Sequence, residues 1–222
     1  GQPPLVSLTG MDELMQKAQV EGILTPEQLT SVATALAAVK RLSEYLNRCK
    51  KYEVTLPYYE ENLTGLEELR EELELKIHNN RVDDYASKKL KNVRSEIDRN
   101  ESKMREKAED LLRRNKKYMA DNYCTLRNNR LCLPVKKEYK NQISGTVIDS
   151  SSTGNTLFME PSSIAKFNEQ LEMLRIEEDN EVRRILYLLT ELFIEKEDIF
   201  LENIRTIEKL DFIFSKGKLS ME

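Results

Sequence analysis

The 222-residue sequence predicts a mainly α fold in which two long antiparallel helices carry a small β insert, and three observations predict it. Apolar residues recur at steps of three and four over long stretches, which places them on one face of a helix. Glycine and proline are scarce, at 7 and 6 residues, and 33% of the chain is charged, a composition suited to long solvated helices. Between residues 123 and 160 the period breaks into short β-prone runs. A chain of this length holds one domain plus an insert.

Taken in order, Thr25-Pro26-Glu27-Gln28 reads as a helix start. The Thr hydroxyl can accept from Gln28 N–H, Gln28 can reach back, and Pro26 has no N–H to leave unsatisfied. The helix runs to about Lys51 on the stripe Leu29, Val32, Ala33, Leu36, Val39, Leu42 and Leu46. A second helix, over about 58 to 78, carries Leu63, Leu66, Leu69, Leu73 and Ile77, flanked by seven acids from Glu60 to Glu74. A third begins near Asp83-Asp84, whose carboxylates suit the positive end of a helix, and extends to about Asn122. Its seam Leu90, Val93, Ile97, Met104, Leu111 and Tyr118 is interrupted by Asn100, Lys107 and Asn115. The returning helix opens at Pro161 and carries Ile164, Phe167, Leu171, Leu174, Val182, Ile185, Leu189 and Leu192. The steps Leu174 to Glu178 to Val182 read as a stutter. A last helix holds Ile199, Ile204, Ile207, Leu210 and Phe214. Four β-prone runs, 123–126, 131–135, 144–148 and 156–159, form the insert. The expected division is a helical base over 1–82, an ascending helix over 83–122, a β insert over 123–160, and returning and closing helices over 161–222.

Several chemistries are excluded or disfavoured. The only Gly-Lys, at Gly217-Lys218, is followed by Leu219, so no phosphate-binding P-loop exists, and no Gly-x-Gly fingerprint occurs. One histidine, His78, reads as an ordinary helix-end residue. Cys49, Cys124 and Cys132 fit neither a disulfide framework nor a zinc knuckle and point to a reducing, cytoplasmic setting. The run from Asp149 to Gly154 reads as a hairpin turn with side-chain-to-backbone bonds, because nothing supplies a base to its hydroxyls. No 18-residue apolar run suggests a membrane span, and no small-molecule substrate or metal site is expected. A Gly at position 1 and an unfinished helical pattern at Ser220-Met221-Glu222 read as a piece of a longer chain.

One functional signal remains. The whole chain has a net charge of −4, yet residues 103–140 hold twelve cations against five acids, a local balance of +7. Arg113, Arg114, Lys116, Lys117, Arg127, Arg130, Lys136, Lys137 and Lys140, with Tyr118, Tyr123 and Tyr139 interleaved, are the candidate contacts to a nucleic-acid backbone. The competing reading is a coiled-coil interaction scaffold that docks a partner through the acidic helix and leaves the basic region idle.

The same region carries a resemblance. Residues 127–136, Arg-Asn-Asn-Arg-Leu-Cys-Leu-Pro-Val-Lys, and 145–161, Gly-Thr-Val-Ile-Asp-Ser-Ser-Ser-Thr-Gly-Asn-Thr-Leu-Phe-Met-Glu-Pro, resemble the core of the second MutS paralogue of bacteria. Asp84-Tyr85-Ala86-Ser87 is similar to that family's motif before the long lever helix, and 181–186 to its returning helix. Ile148 stands where the family usually has His, Thr153 where it has a second Ser, and Phe167-Asn168-Glu169 where Leu-Asn-Asn is usual. The resemblance implies a MutS-core-like helical domain with lever helices and a clamp, and a structural role for Asp84, Ser87, Gly145, Asp149, Gly154, Thr156, Glu160 and Pro161. It further implies an ABC-type ATPase elsewhere in the protein, using ATP and Mg and forming the homodimer, often with a nuclease domain. The implied targets are branched or duplex DNA, or ribosomal RNA on stalled ribosomes, in repair, recombination control or ribosome rescue. No cofactor is implied for the residues present, and no catalytic residue.

Overall fold

The computed structural model describes residues 8, 10–49, 63 and 66–219, the side chains of 218 and 219 apart. It divides into two compact units, one of residues 1–88 with 181–222 and the other of residues 89–180.

In the first unit, α1 (Met11–Glu21) stops at Gly22, whose φ of 74° lets its N–H bond back to Ala18 O at 2.8 Å. Helix α2 (Pro26–Cys49) starts on the expected reciprocal cap. Thr25 N–H donates to Gln28 Oε1 at 3.0 Å, and Gln28 N–H donates to Thr25 Oγ1 at 3.2 Å. Thr25→Ala is therefore expected to cost about 1 kcal/mol, read as a lowered thermal midpoint with unchanged secondary structure. All seven stripe residues of α2 are buried, and the helix packs on α3 (Glu67–Lys76). Of the expected second helix, residues 58–62, 64 and 65 lie outside the described residues.

That helix stops at Lys76, and His78 is not a helix-end residue. It sits on a hairpin of β1 (Ile77–His78) and β2 (Arg81–Val82), with Nδ1 3.0 Å from Asp83 Oδ2. Asn79 and Asn80 make the turn with φ of 51° and 57°, the left-handed pair that a two-residue hairpin needs and that Asn tolerates. Asp83 accepts from Tyr85 N–H and caps a 3₁₀ turn, Asp84–Ala86. The rest of the unit comes from the end of α5 (Ser162–Glu195) and from α6 (Glu197–Leu219). Thr190 Oγ1 accepts from Leu24 N–H at 3.0 Å, and Phe193 meets Phe200 edge-on at 5.0 Å. Glu181 is buried and held by Ser87 Oγ and the guanidinium of Arg184. It, rather than the half-buried Val182, faces inward, and inward positions 174, 178, 181 and 185 step by four, three and four, so the expected stutter does not arise.

The second unit is built on α4 (Lys88–Arg114) and the first part of α5. Val93, Ile97, Met104 and Ala108 of α4 close on Ile164, Leu171 and Leu174 of α5, with Leu131 completing the cluster. Arg94 Nε donates to Glu178 Oε1 at 2.8 Å, Arg175 to Glu101 Oε1 at 2.9 Å, and Lys107 lies over the Phe167 ring. Partners fall in number along α5 as they rise along α4, so the two helices run antiparallel. Glu178, expected as a weak point, is instead the acceptor for a guanidinium that is 9% exposed. Beyond Met104 the buried positions are Ala108 and Leu112 rather than Leu111 and Tyr118, because a straight helix drifts off a strict seven-residue repeat.

Helix α4 ends at Arg114, short of Asn122. Its 27 residues span roughly 40 Å instead of 55 Å at about 1.5 Å per residue. After a 3₁₀ turn, Lys116–Tyr118, Met119 makes a β-bridge to Val135 and Ala120 N–H donates to Pro134 O at 2.8 Å. The chain is captured by the sheet before the helix can continue. That sheet is antiparallel throughout, in the order β3 (Thr125–Arg127), β4 (Arg130–Lys136), β6 (Thr156–Pro161), β5 (Gly145–Ser150). Asn128 and Asn129, with φ of 50° and 60°, turn β3 into β4 as Asn79 and Asn80 turn β1 into β2. Pro161 is not the first helical residue but the end of β6, opposite Gly145, and α5 begins at Ser162. Leu112, Met119, Leu133, Val135, Ile143 and Met159 form the core between the sheet and its flanking turns.

Candidate nucleic-acid interface

The second unit places the predicted cations in two different environments. The first is internal. Arg127 and Arg130 face each other across β3 and β4, two like charges that would repel unless each had its own partner. Arg130 has one: its guanidinium donates to Glu160 Oε2 at 2.7 Å, which holds it above the usual arginine range. Glu160 is only 6% exposed and also accepts from Asn168 Nδ2 at 2.8 Å, while Asn168 Oδ1 accepts from Leu131 N–H. A carboxylate taken out of water is tolerated only with such donors around it. The Arg127 guanidinium stacks on Phe158 at 4.0 Å and lies 3.6 Å from Asp149 Oδ2. Both arginines thus help hold the hairpin against β6 and β5, with side chains 40% and 32% exposed.

The second environment is open to solvent. Lys116 and Lys117 lie exposed on the 3₁₀ turn after α4, and Lys117 Nζ rests 4.8 Å above the Tyr118 ring. Lys136 ends β4 half-buried, and Lys137 and Lys140 are exposed on the following 3₁₀ turn, Lys137–Gln142. The Met119–Val135 bridge, the Ala120 N–H bond to Pro134 O and the Tyr118–Tyr139 ring pair, centroids 5.1 Å apart, join these segments. Tyr118 and Tyr139 therefore pack inward against the core rather than facing a ligand. Among the described residues, no carboxylate comes within ion-pair distance of Lys116, Lys136, Lys137 or Lys140. Arg113 and Arg114, at the end of α4, are exposed and share Asp110, at 3.7 and 2.9 Å.

The motif residues shape the same sheet. Gly154, with φ of 74°, and Ser151 form the turn between β5 and β6, where Ser151 Oγ accepts from Thr156 N–H and Asp149 Oδ1 from Ser150 N–H. Lys137 N–H bonds to Asn155 O, tying that turn to the lysine-bearing segment. Burial pushes the Cys132 thiol up to about 11, with the charge of Glu160 adding to it, and burial also raises Cys124. Neither is an activated nucleophile. Among the described residues no group of three metal-ligating side chains converges, and no helix is long and apolar enough to cross a membrane.

The acidic helix α3 is less available than its composition suggests. Arg70 donates to Glu67 and Glu74, holding the Glu67 carboxyl below its usual range, and Lys76 pairs with Glu72.

No family model matches the chain. Curated relatives do. The chain is 37% identical over 226 residues to a protein of Clostridium botulinum named Endonuclease MutS2, 36% over 225 residues to its namesake in Brevibacillus brevis, and 33% over 224 residues to that of a Geobacillus species. These alignments cover 98–100% of the chain and 29% of each relative. The chain is therefore MutS2-like from end to end, and it spans about 29% of the length of the relatives it matches.

Proposed function

We propose that this chain is a non-catalytic, nucleic-acid-gripping piece of a MutS-type protein, and that Lys116, Lys117, Lys136, Lys137 and Lys140 hold the phosphate backbone. The observation that carries this reading is the set of solvent-facing lysines gathered by the Met119–Val135 bridge in a chain that is acidic overall. Ammonium groups not paired with carboxylates can exchange counterions for phosphates, and such contacts position a polynucleotide without reading its sequence. The endonuclease action in the relatives' name, and the ATP hydrolysis and homodimerisation that the resemblance implies, are proposed to reside in the remainder of the whole protein, in a cytoplasmic setting. The targets are branched or duplex DNA, or ribosomal RNA. The scaffold alternative has less support, because α3 spends Glu67, Glu72 and Glu74 on its own cations.

The test is a salt series. Affinity of the intact protein for duplex DNA, branched DNA and ribosomes is measured against salt concentration, alongside Lys137→Gln and Lys140→Gln. Each neutralised contact is expected to lower the slope of log affinity against log salt by about one unit. An unchanged slope in both variants removes those lysines from the site, and a preference among the three ligands identifies the target.

A further inference from the structure

A groove of about 560 Å³ lies between the last turns of α4 and strand β3. One wall carries Arg105, Glu109 and Arg113; the other carries Asn122, Tyr123 and Leu126. Tyr123 is 59% exposed and Leu126 64% exposed, two large side chains of the groove lining that are open to solvent. Neither belongs to the core clusters of its unit. Tyr118 and Tyr139 are packed inward, which leaves Tyr123 as the exposed tyrosine of the basic region.

We propose that this groove takes an unpaired nucleotide, its base stacked on Tyr123 and against Leu126, its phosphate on Arg105 and Arg113. An aromatic face accepts any base by stacking, and flanking guanidinium groups supply the anion-binding half of a single-strand site. Arg105 has no carboxylate partner among the described residues, and Arg113 keeps a loose one, Asp110 at 3.7 Å, that a phosphate can displace. Asn122, a donor and an acceptor, and Glu109, an acceptor, stand where a base edge with an exocyclic amine would reach. Glu109 lies close enough to the groove's inner end for its charge to raise the Cys124 thiol. Paired bases in a duplex are stacked on each other and cannot enter, so the groove would discriminate unpaired nucleotides from duplex while the lysines bind both. This rests on the reading of the unit as a nucleic-acid grip.

The test uses the intact protein and three probes: a DNA strand and an RNA strand each bearing 2-aminopurine, and a fully paired DNA duplex. Stacking is expected to quench the 2-aminopurine, and Tyr123→Ser with Leu126→Ser to abolish the quench and weaken single-strand binding about tenfold, with duplex affinity and its salt slope unchanged. Tyr123→Phe is expected to restore the quench, and both replaced side chains are exposed, so folding is preserved. Comparing the two strands shows whether DNA or RNA supplies the nucleotide. Equal quench and affinity in the protein and the double variant, on both strands, overturn the groove while leaving the lysine grip in place. A retained, Tyr123-dependent quench with salt-independent duplex binding overturns the lysines and leaves the groove.

Discussion

Gly145→Ala is expected to destabilise the 89–180 unit by about 3 kcal/mol or more, seen as early loss of β5 in hydrogen exchange while the first unit stays protected. The cause is steric. A Cβ at this position would stand 2.2 Å from Glu160 O and 2.9 Å from both Glu160 C and Pro161 Cα. All three are backbone atoms of the neighbouring strand, so relief requires β5 and β6 to separate rather than a side chain to swing away. The Gly145–Pro161 pairing opens the β5–β6 ladder, and the Ser162 N–H bond to Ser144 O lies just outside it. Pushing these strands apart would also move Glu160. A measured loss below about 1 kcal/mol would show that the strands do not approach this closely.

Arg130→Met is expected to cost about 3 kcal/mol, and Glu160→Gln clearly less, because the two partners of this ion pair differ in burial. The Glu160 side chain is 7% exposed and that of Arg130 32%. Without Arg130 the carboxylate keeps a single side-chain donor, Asn168, in a nearly dry site. Without Glu160 the guanidinium can turn towards water. The double variant should recover much of the loss, since it leaves no unpaired charge. Denaturant midpoints of the four proteins decide this, and additive losses would refute it. DNA binding by folded Arg130→Met should keep its salt slope, since the arginine is committed internally.

How far the sequence announces this structure depends on the range of the interaction. The cap on α2 is legible because Thr25 and Gln28 are three residues apart, and its stripe because burial follows the helical period. The four strands of the insert are visible from their composition and from Asn128-Asn129. The same Asn-Asn signal at 79–80, between His78 and Arg81, announces the β1–β2 hairpin, whose two-residue strands carry no periodicity to reinforce it. The end of α4 was not legible: nothing local forbids a helix through Asn122, and the competing bond is Met119 to Val135 on a distant strand. For the site, the concentration of charge could be read directly. Which cations are spent internally could not, because Glu160 lies 30 residues from Arg130. The difference between Arg130 and Lys137 is created by folding alone.

The sheet has two open margins, and each is poorly suited to growth. Strand β3 is three residues long and carries Arg127; β5 shifts register between Val147 and Asp149 and bears a carboxylate at the shift. A foreign strand approaching either side meets a short row of donors and acceptors, a kink, and a charge it would have to dehydrate. The ribbon therefore resists templated growth by a further strand at either margin.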